Sequence, residues 1–274
     1  MSFGWIKSED YSFNSFLLLE EFQIRLALEN RGWSKEKDEW SKNMGIALVA
    51  NPVVAWYFKH RCPKCVHLVD KLMDKAPTAI DKEVREAESY ILLSLEDFTI
   101  HTTPEKMAKS CDYIRGWDKE RLFSLADFNG KVVLDIGAGS GRLTFAAASC
   151  ASMVYAVEPV STLREFIRNK IADKVISNVR VTDGFVESIP YPDNTFDIVM
   201  SGHVLGDDLE KELVEKERVC KVGGYMLNVP GDSEFHIGSF KALVDKGWEE
   251  IHYVGSYGKD VHIHRKMKTE RSEE

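Results

Sequence analysis

The chain has 274 residues, of which 44% are hydrophobic and 29% charged, with a formal net charge of −8. That length and balance describe a globular protein with room for one main domain and an extension. The acidic balance disfavours a broad nucleic-acid surface, which draws its affinity from Lys and Arg neutralising phosphates, and no apolar run of about 18 residues points to a membrane span.

The N-terminal "MSFGWIKSEDYSF" lacks the basic start, apolar stretch and cleavage site of a signal peptide. The five cysteines (62, 65, 111, 150 and 220) are odd in number and thinly spread, so no disulfide framework is expected and a cytoplasmic location is predicted. "SFLLLEEFQIRLALENRG" and "TAIDKEVREAESYILLSLEDF" carry apolar residues near helical spacing, with Glu and Lys between them. Residues 1–100 therefore read as a helical extension. Within it, "HRCPKCVH" sets Cys62 and Cys65 in C-x-x-C spacing between His60 and His67. Three readings stay open: half a zinc site, for which a second ligand pair is missing; a redox pair, without the βαβ context such pairs use; or a helical segment with buried thiols. "TTPEKMAKSCDYIRGW" opens a further helix, with Thr103 as cap and Pro104 in the first turn.

From Asn129 to Met267 strands and helices alternate. Strands are predicted at Lys131–Ile136, Met153–Glu158, Val179–Thr182, Phe196–Ser201, Gly224–Val229, Glu249–Val254 and Asp260–Met267, each short, Val- and Ile-rich and bounded by turn residues. Helices are predicted at Arg142–Cys150, at Thr162–Asp173 with Thr162 and Glu165 at capping-box spacing, at Asp208–Lys221 with Gly223 and Gly224 as a stop, and at Phe235–Lys246 before Gly247. The alternation predicts an α/β fold: a doubly wound, mostly parallel, seven-stranded Rossmann-like sheet. The last two strands share only a "GSYG" loop, so the final strand is predicted antiparallel. The expected domains are 1–100, 101–267 and a solvated tail, 268–274.

"KVVLDIGAGSGRL", residues 131–143, joins the first strand to its helix through Gly137, Gly139 and Gly141. Such a turn lets a ligand approach the backbone and presents N–H groups at a helix start. A dinucleotide turn, G-x-G-x-x-G, would need glycine at position 142, where Arg142 stands. The Lys-Ser/Thr ending of a phosphate-binding P-loop is also missing.

"LDIGAGSG" resembles the first motif of the class I S-adenosylmethionine-dependent methyltransferases, and "SGHVLGDD" resembles their small-molecule, type 11-like branch, in which a His or similar residue precedes a valine-leucine pair. The resemblance runs over residues 104–267 and leaves out the helical extension. It implies that Gly137, Ala138, Gly139 and Gly141 pack against the methionine part of the cofactor, and that Asp135 helps orient its ammonium group. "VYAVEP" is similar to the second motif, which implies that Glu158 accepts from the ribose hydroxyls and Pro159 borders the adenine; a solvated strand-end glutamate is the alternative. "VTDGFVESIPYPDNTFDIVMS" resembles the third. It implies that Asp183 accepts from the adenine amino group and that Gly184 and Phe185 offer amides to the ring; a plain turn at "DG" is the alternative. Ser201, closing the fourth strand, joins this cofactor set. "SGHVLGDD" corresponds to the segment that faces the transferring methyl group, which makes His203 the candidate to contact or deprotonate the acceptor; a histidine bonded to the backbone at a helix start is the alternative. The segment differs from the Asn/Asp-Pro-Pro-aromatic motif of enzymes that methylate base amines or glutamine amides. Asp207 and Asp208 read as helix caps, with recognition of a cationic acceptor as the alternative; Tyr113 and Trp117 are expected near the site, with ordinary core packing as the alternative.

The resemblance thus implies methyl transfer from S-adenosyl-L-methionine to a small-molecule acceptor by direct in-line displacement, with S-adenosyl-L-homocysteine as product, no metal and no membrane partner. The extension is expected to cover the acceptor. A protein or RNA methyltransferase using the extension for recognition, and a non-catalytic cofactor-binding sensor, are the alternatives. The acceptor and the oligomeric state stay open.

Overall fold

Residues 3–29, 37–234 and 239–270 are described by a computed structural model, in which the chain divides into two units, Met1–Met107 and Ala108–Glu274. The first unit is helical: α1 (Glu21–Glu29), α2 (Lys37–Ala50), α3 (Pro52–Arg61), α4 (Val66–Asp74), α5 (Asp81–Ser94), α6 (Glu96–Thr99) and the start of α7 (Pro104–Ser110). Residues 30–32 of the first predicted helical stretch lie outside the described residues. Phe13, Phe16, Ile24, Met44, Leu48, Phe58 and Ile91 are fully buried in this unit. Pro52 and Pro104 each occupy a first helical turn, where a missing N–H costs nothing. The buried carboxylate of Glu96 accepts backbone N–H groups from Phe3 (2.7 Å), Trp5 (2.5 Å) and Ile6 (3.1 Å), so its burial does not leave it unsatisfied.

The C-x-x-C pair sits where α3 ends and a short 3-10 turn leads to α4. Cys62 and Cys65 are free thiols with no exposed surface, and Cys62 Sγ donates to Cys65 Sγ at 2.7 Å. Burial, with the neighbouring Cys62, pushes the Cys65 thiol up to about 12, away from the thiolate that metal binding or exchange requires. Among the described residues no group of three or more His, Cys, Asp or Glu is arranged to hold a metal ion.

The second unit carries α8 (Glu120–Phe123) and a seven-stranded sheet: β1 (Val132–Ile136), β2 (Met153–Val157), β3 (Val179–Thr182), β4 (Phe196–Ser201), β5 (Cys220–Asn228), β6 (Glu249–Val254) and β7 (Asp260–Met267). Between strands lie α9 (Arg142–Ala147), α10 (Ser161–Asp173), α11 (Leu209–Val219) and α12 (Lys241–Asp245). The strand order is β3-β2-β1-β4-β5-β7-β6. The first five strands pair in parallel; β7 is antiparallel to both β5 and β6, as the short "GSYG" connection requires. Two apolar layers cover the sheet. One gathers Leu122, Leu125, Phe128, Leu143, Ala147 and Ile263, the other Val199, Val219, Met226, Leu243 and Trp248.

Two local expectations are corrected. Helix α10 starts at Ser161 behind Val160, so Thr162 lies inside the first turn instead of capping it. Glu158 Oε1 accepts the Val160 N–H at 2.9 Å and fixes the chain's approach to the helix. Gly223 and Gly224 do not end α11. The backbone turns extended at Cys220, which pairs directly with Phe196, and the next pairing joins Ile198 to Tyr225. The glycines therefore form an irregularity within β5, where a Cβ on Gly224 would come within 2.7 Å of the Asp197 carbonyl. Of the helix predicted over Phe235–Lys246, residues 235–238 lie outside the described residues, and α12 stops before Gly247 at φ +78°. Residues 271–274 of the predicted tail also lie outside them.

Candidate active site

Strand β1 has β2 on one side and β4 on the other, so the crossovers leaving their C-terminal ends diverge and open a crevice above β1. The glycine turn stands at that point. Gly137, Gly139 and Gly141 all have left-handed φ, at +63°, +56° and +88°. At Gly137 the requirement is also spatial, because a Cβ would lie 2.3 Å from Val204 Cγ2. The N–H groups of Gly137 and Ala138 donate to the Val157 carbonyl (2.8 and 3.1 Å), tying the turn to the end of β2.

Glu158, the next residue, completes this tie. Its buried carboxylate accepts the Gly139 N–H through Oε2 at 2.8 Å and the Val160 N–H through Oε1. Burial pushes it up to about 7, although both N–H bonds and the nearby Arg164 favour the ionised form. Asp135 is buried at the end of β1 and accepts the Thr144 hydroxyl at 2.5 Å. Burial raises it to about 6 against the opposing influence of Thr144, Arg142 and Lys216. Pro159 is half-buried beside Glu158.

At the end of β3, Asp183 presents an exposed carboxylate whose Oδ1 accepts from Arg164 Nη1 at 2.9 Å. Gly184 follows, where a Cβ would approach Pro190 Cδ to 2.8 Å, and then the exposed ring of Phe185. Ser201 ends β4 fully buried, its hydroxyl accepting from Lys216 Nζ at 2.9 Å; the same ammonium donates to the Leu227 carbonyl at 2.9 Å. Burial lowers Lys216 to about 7.

His203 has the left-handed φ of +60°, an uncommon conformation for a residue with a Cβ. The residue is exposed, while its ring lies 4.5 Å from the Tyr113 ring and donates to the Pro230 carbonyl. Surrounding protein, then the Arg142 cation, lowers it to about 4. The imidazole is therefore neutral at pH 7. Arg142 runs between the ends of β4 and β5. Its Nη2 donates to the Val229 carbonyl at 2.6 Å, its guanidinium lies 4.5 Å over the Trp117 ring, and Nη1 is buried without a hydrogen-bond partner among the described residues. Gly202 and Gly231 flank it, each so close that a Cβ would meet a guanidinium nitrogen at 2.8 and 2.9 Å. Asp208 caps α11, its side chain accepting the Lys211 N–H, while the buried Glu212 accepts the N–H groups of Gly206, Asp207 and Asp208.

Asp135, the glycine turn, Glu158 and Pro159 are thus brought together by β1 and β2, Asp183 to Phe185 stand on the adjoining strand end, and Ser201 and His203 on the other side. Sequence reasoning missed Arg164, Lys216 and Glu212, and noticed Arg142 only as the absence of a glycine. No local pattern marks Arg142, Arg164 or Lys216, since each acts on partners from other strands, whereas the partners of Glu212 lie just before it in the chain.

The sheet order and the site define a Rossmann-like methyltransferase fold. The family model for the methyltransferase domain matches residues 134–228, and this unit is a class I, S-adenosylmethionine-dependent methyltransferase domain of the type 11-like branch. The chain is 34% identical over 165 residues to the Arabidopsis thaliana protein named probable histone-arginine methyltransferase 1.4, covering 53% of this chain and 30% of that one. It is 28% identical over 139 residues to demethylmenaquinone methyltransferase of Geobacillus sp. (strain WCH70), covering 46% of this chain and 59% of the relative. These alignments span less than two thirds of the relatives' own length. A solved structure from Methanococcus maripaludis, assigned as an S-adenosylmethionine-dependent methyltransferase, shares the fold at 17% identity and a TM-score of 0.50, covering 64% of this chain and 94% of that one. No helix among the described residues is long and apolar enough to cross a membrane.

Proposed function

We propose that the protein transfers a methyl group from S-adenosylmethionine to a small-molecule acceptor by in-line displacement, releasing S-adenosylhomocysteine. The observation that carries this reading is the convergence of the glycine turn, Glu158 and Asp183 on neighbouring parallel strand ends. The donor set fits the cofactor's chemistry. A ribose diol and an exocyclic amine are hydrogen-bond donors, and carboxylates accept through both oxygens. Each Glu158 oxygen keeps a lone pair beyond its bond to Gly139 or Val160, and Asp183 Oδ2 lies outside the Arg164 pair. Gly137, Ala138, Gly139 and Gly141 are assigned to the methionine part, with Asp135 supplying negative charge for its ammonium. Pro159, Gly184 and Phe185 are assigned to the adenine, and Ser201 to the wall beneath.

When bound, S-adenosylmethionine supplies a methyl group already activated on a positively charged sulfur. The chain then has to align the acceptor, exclude water and hold a proton if one is released. His203 suits the last task. It is neutral at pH 7, and the bond to Pro230 fixes one ring nitrogen as donor, leaving the other to accept. A second reading, a protein acceptor, is favoured by the alignment with relatives named for histone-arginine methylation. A third, a cofactor-binding sensor, follows from the fact that fold does not dictate activity.

Thermal unfolding tests the cofactor. S-adenosylhomocysteine at about 100 times its Kd should stabilise the protein by about 2.7 kcal/mol, NAD should do nothing, and no shift with S-adenosylhomocysteine overturns the assignment. Transfer of labelled methyl to fractionated extract then decides the acceptor: label in small molecules supports the reading, label in protein selects the second, and no transfer selects the sensor.

A further inference from the structure

Arg164 lies one turn into α10, and a single guanidinium nitrogen, Nη1, donates to two partners: the Glu158 carbonyl at 2.7 Å and Asp183 Oδ1 at 2.9 Å. The arginine is largely buried, with 14% of its side chain exposed, whereas Asp183 is 69% exposed. An ion pair with one partner in solvent contributes little to stability, so the consequence of this pair is geometric. An unrestrained aspartate at a strand end samples several rotamers. Here the guanidinium engages Oδ1, directs Oδ2 away from itself, and ties this carboxylate to the backbone of the residue assigned to the ribose. Arg168, one turn further on, donates only to the Val181 carbonyl in this network, at 3.2 Å, and does not engage the carboxylate.

We infer that Arg164 is a positioning residue: it sets the Asp183 carboxylate at a fixed spacing from Glu158 so that the site distinguishes a 6-amino purine from a 6-oxo purine. The inference rests on the proposed cofactor site. A 6-amino group donates to a carboxylate. A 6-oxo group presents an acceptor to an acceptor, which loses the bond and leaves both groups facing like partial charges.

The test compares S-adenosylhomocysteine with S-inosylhomocysteine by titration calorimetry on the full chain. The wild type should prefer the amino ligand by about tenfold or more, the scale of a hydrogen bond to a charged group. Arg164→Ala should bring that preference to within about threefold of unity, Arg164→Lys should recover part of it, and Arg168→Ala should keep it. In an Asp183→Ala background, Arg164→Ala should change the preference no further. A general loosening of α10 would weaken both ligands equally and leave their ratio intact. Retention of the wild-type ratio in Arg164→Ala, or in Arg164→Gln should the alanine variant fail to fold, overturns the inference. So does a wild type that binds both ligands alike. Failure of the wild type to bind S-adenosylhomocysteine at all is a different result, and defeats the cofactor reading beneath it.

Discussion

Gly137→Ala tests the reasoning about the turn most directly, because two separable penalties meet at one atom. With φ at +63°, an alanine pays about 1–2 kcal/mol for the left-handed conformation. Its Cβ would also stand 2.3 Å from Val204 Cγ2, an overlap that repacking relieves at about 1–3 kcal/mol. The sum, about 2–5 kcal/mol, corresponds to a fall in Tm of about 4–20 °C for a domain of this size. Val204→Ala removes the overlapping methyl group, so in that background Gly137→Ala should cost only the backbone share, about 1–2 kcal/mol. Denaturant unfolding of the four proteins in the cycle measures the difference, and a favourable coupling of about 1–3 kcal/mol is expected. Additivity within about 0.5 kcal/mol would refute the claim that Val204 is what excludes a side chain at position 137.

Three further outcomes follow from the buried groups. Burial holds Lys216 down to about 7, against an ordinary value of 10.5. Below pH 7 the folded state bears the full cost of the buried charge, and between pH 7 and about 10 it sheds that proton before the unfolded state does. Wild-type stability should therefore rise with pH across this window relative to Lys216→Met; parallel profiles would contradict the burial argument. Glu158 is raised to about 7, so affinity for S-adenosylhomocysteine should climb as pH passes upward through 7, and Glu158→Gln should remove that component; calorimetry at several pH values reads both. Cys62, Cys65, Cys111 and Cys220 are buried whereas Cys150 is half-buried. A maleimide should label Cys150 in the native protein and the other four only after unfolding, as peptide mass spectrometry would report.

The predicted bounds of β3, β4, β6 and β7 coincide with the observed ones, because a run of Val and Ile between turn residues is a local signal that a sheet merely accepts. The antiparallel end was equally legible, since a five-residue loop permits no crossover. The end of α11 was not. Two glycines resemble a helix stop, yet pairing of Cys220 with Phe196 ends the helix earlier, and that contact is nonlocal. Glu212 and Lys216, four apart on α11, are fully buried; backbone groups of Gly206, Asp207 and Asp208 satisfy the first and Leu227 the second, and only the latter contact is nonlocal. In the candidate site, backbone-shaped features announce themselves through glycine, whereas Arg142 and Arg164 matter only through residues that folding brings beside them.

The bond between Glu158 and Gly139 links groups 19 residues apart, on segments that adjoin only once β1 and β2 have found their parallel register. Parallel pairing is a late event in the life of a folding chain, since it must wait for an intervening helix to close the crossover. The crevice above β1 therefore cannot exist in a half-assembled molecule. It needs both strands and the helix between them in place, so that the capacity to hold the methyl donor is a property of finished protein alone.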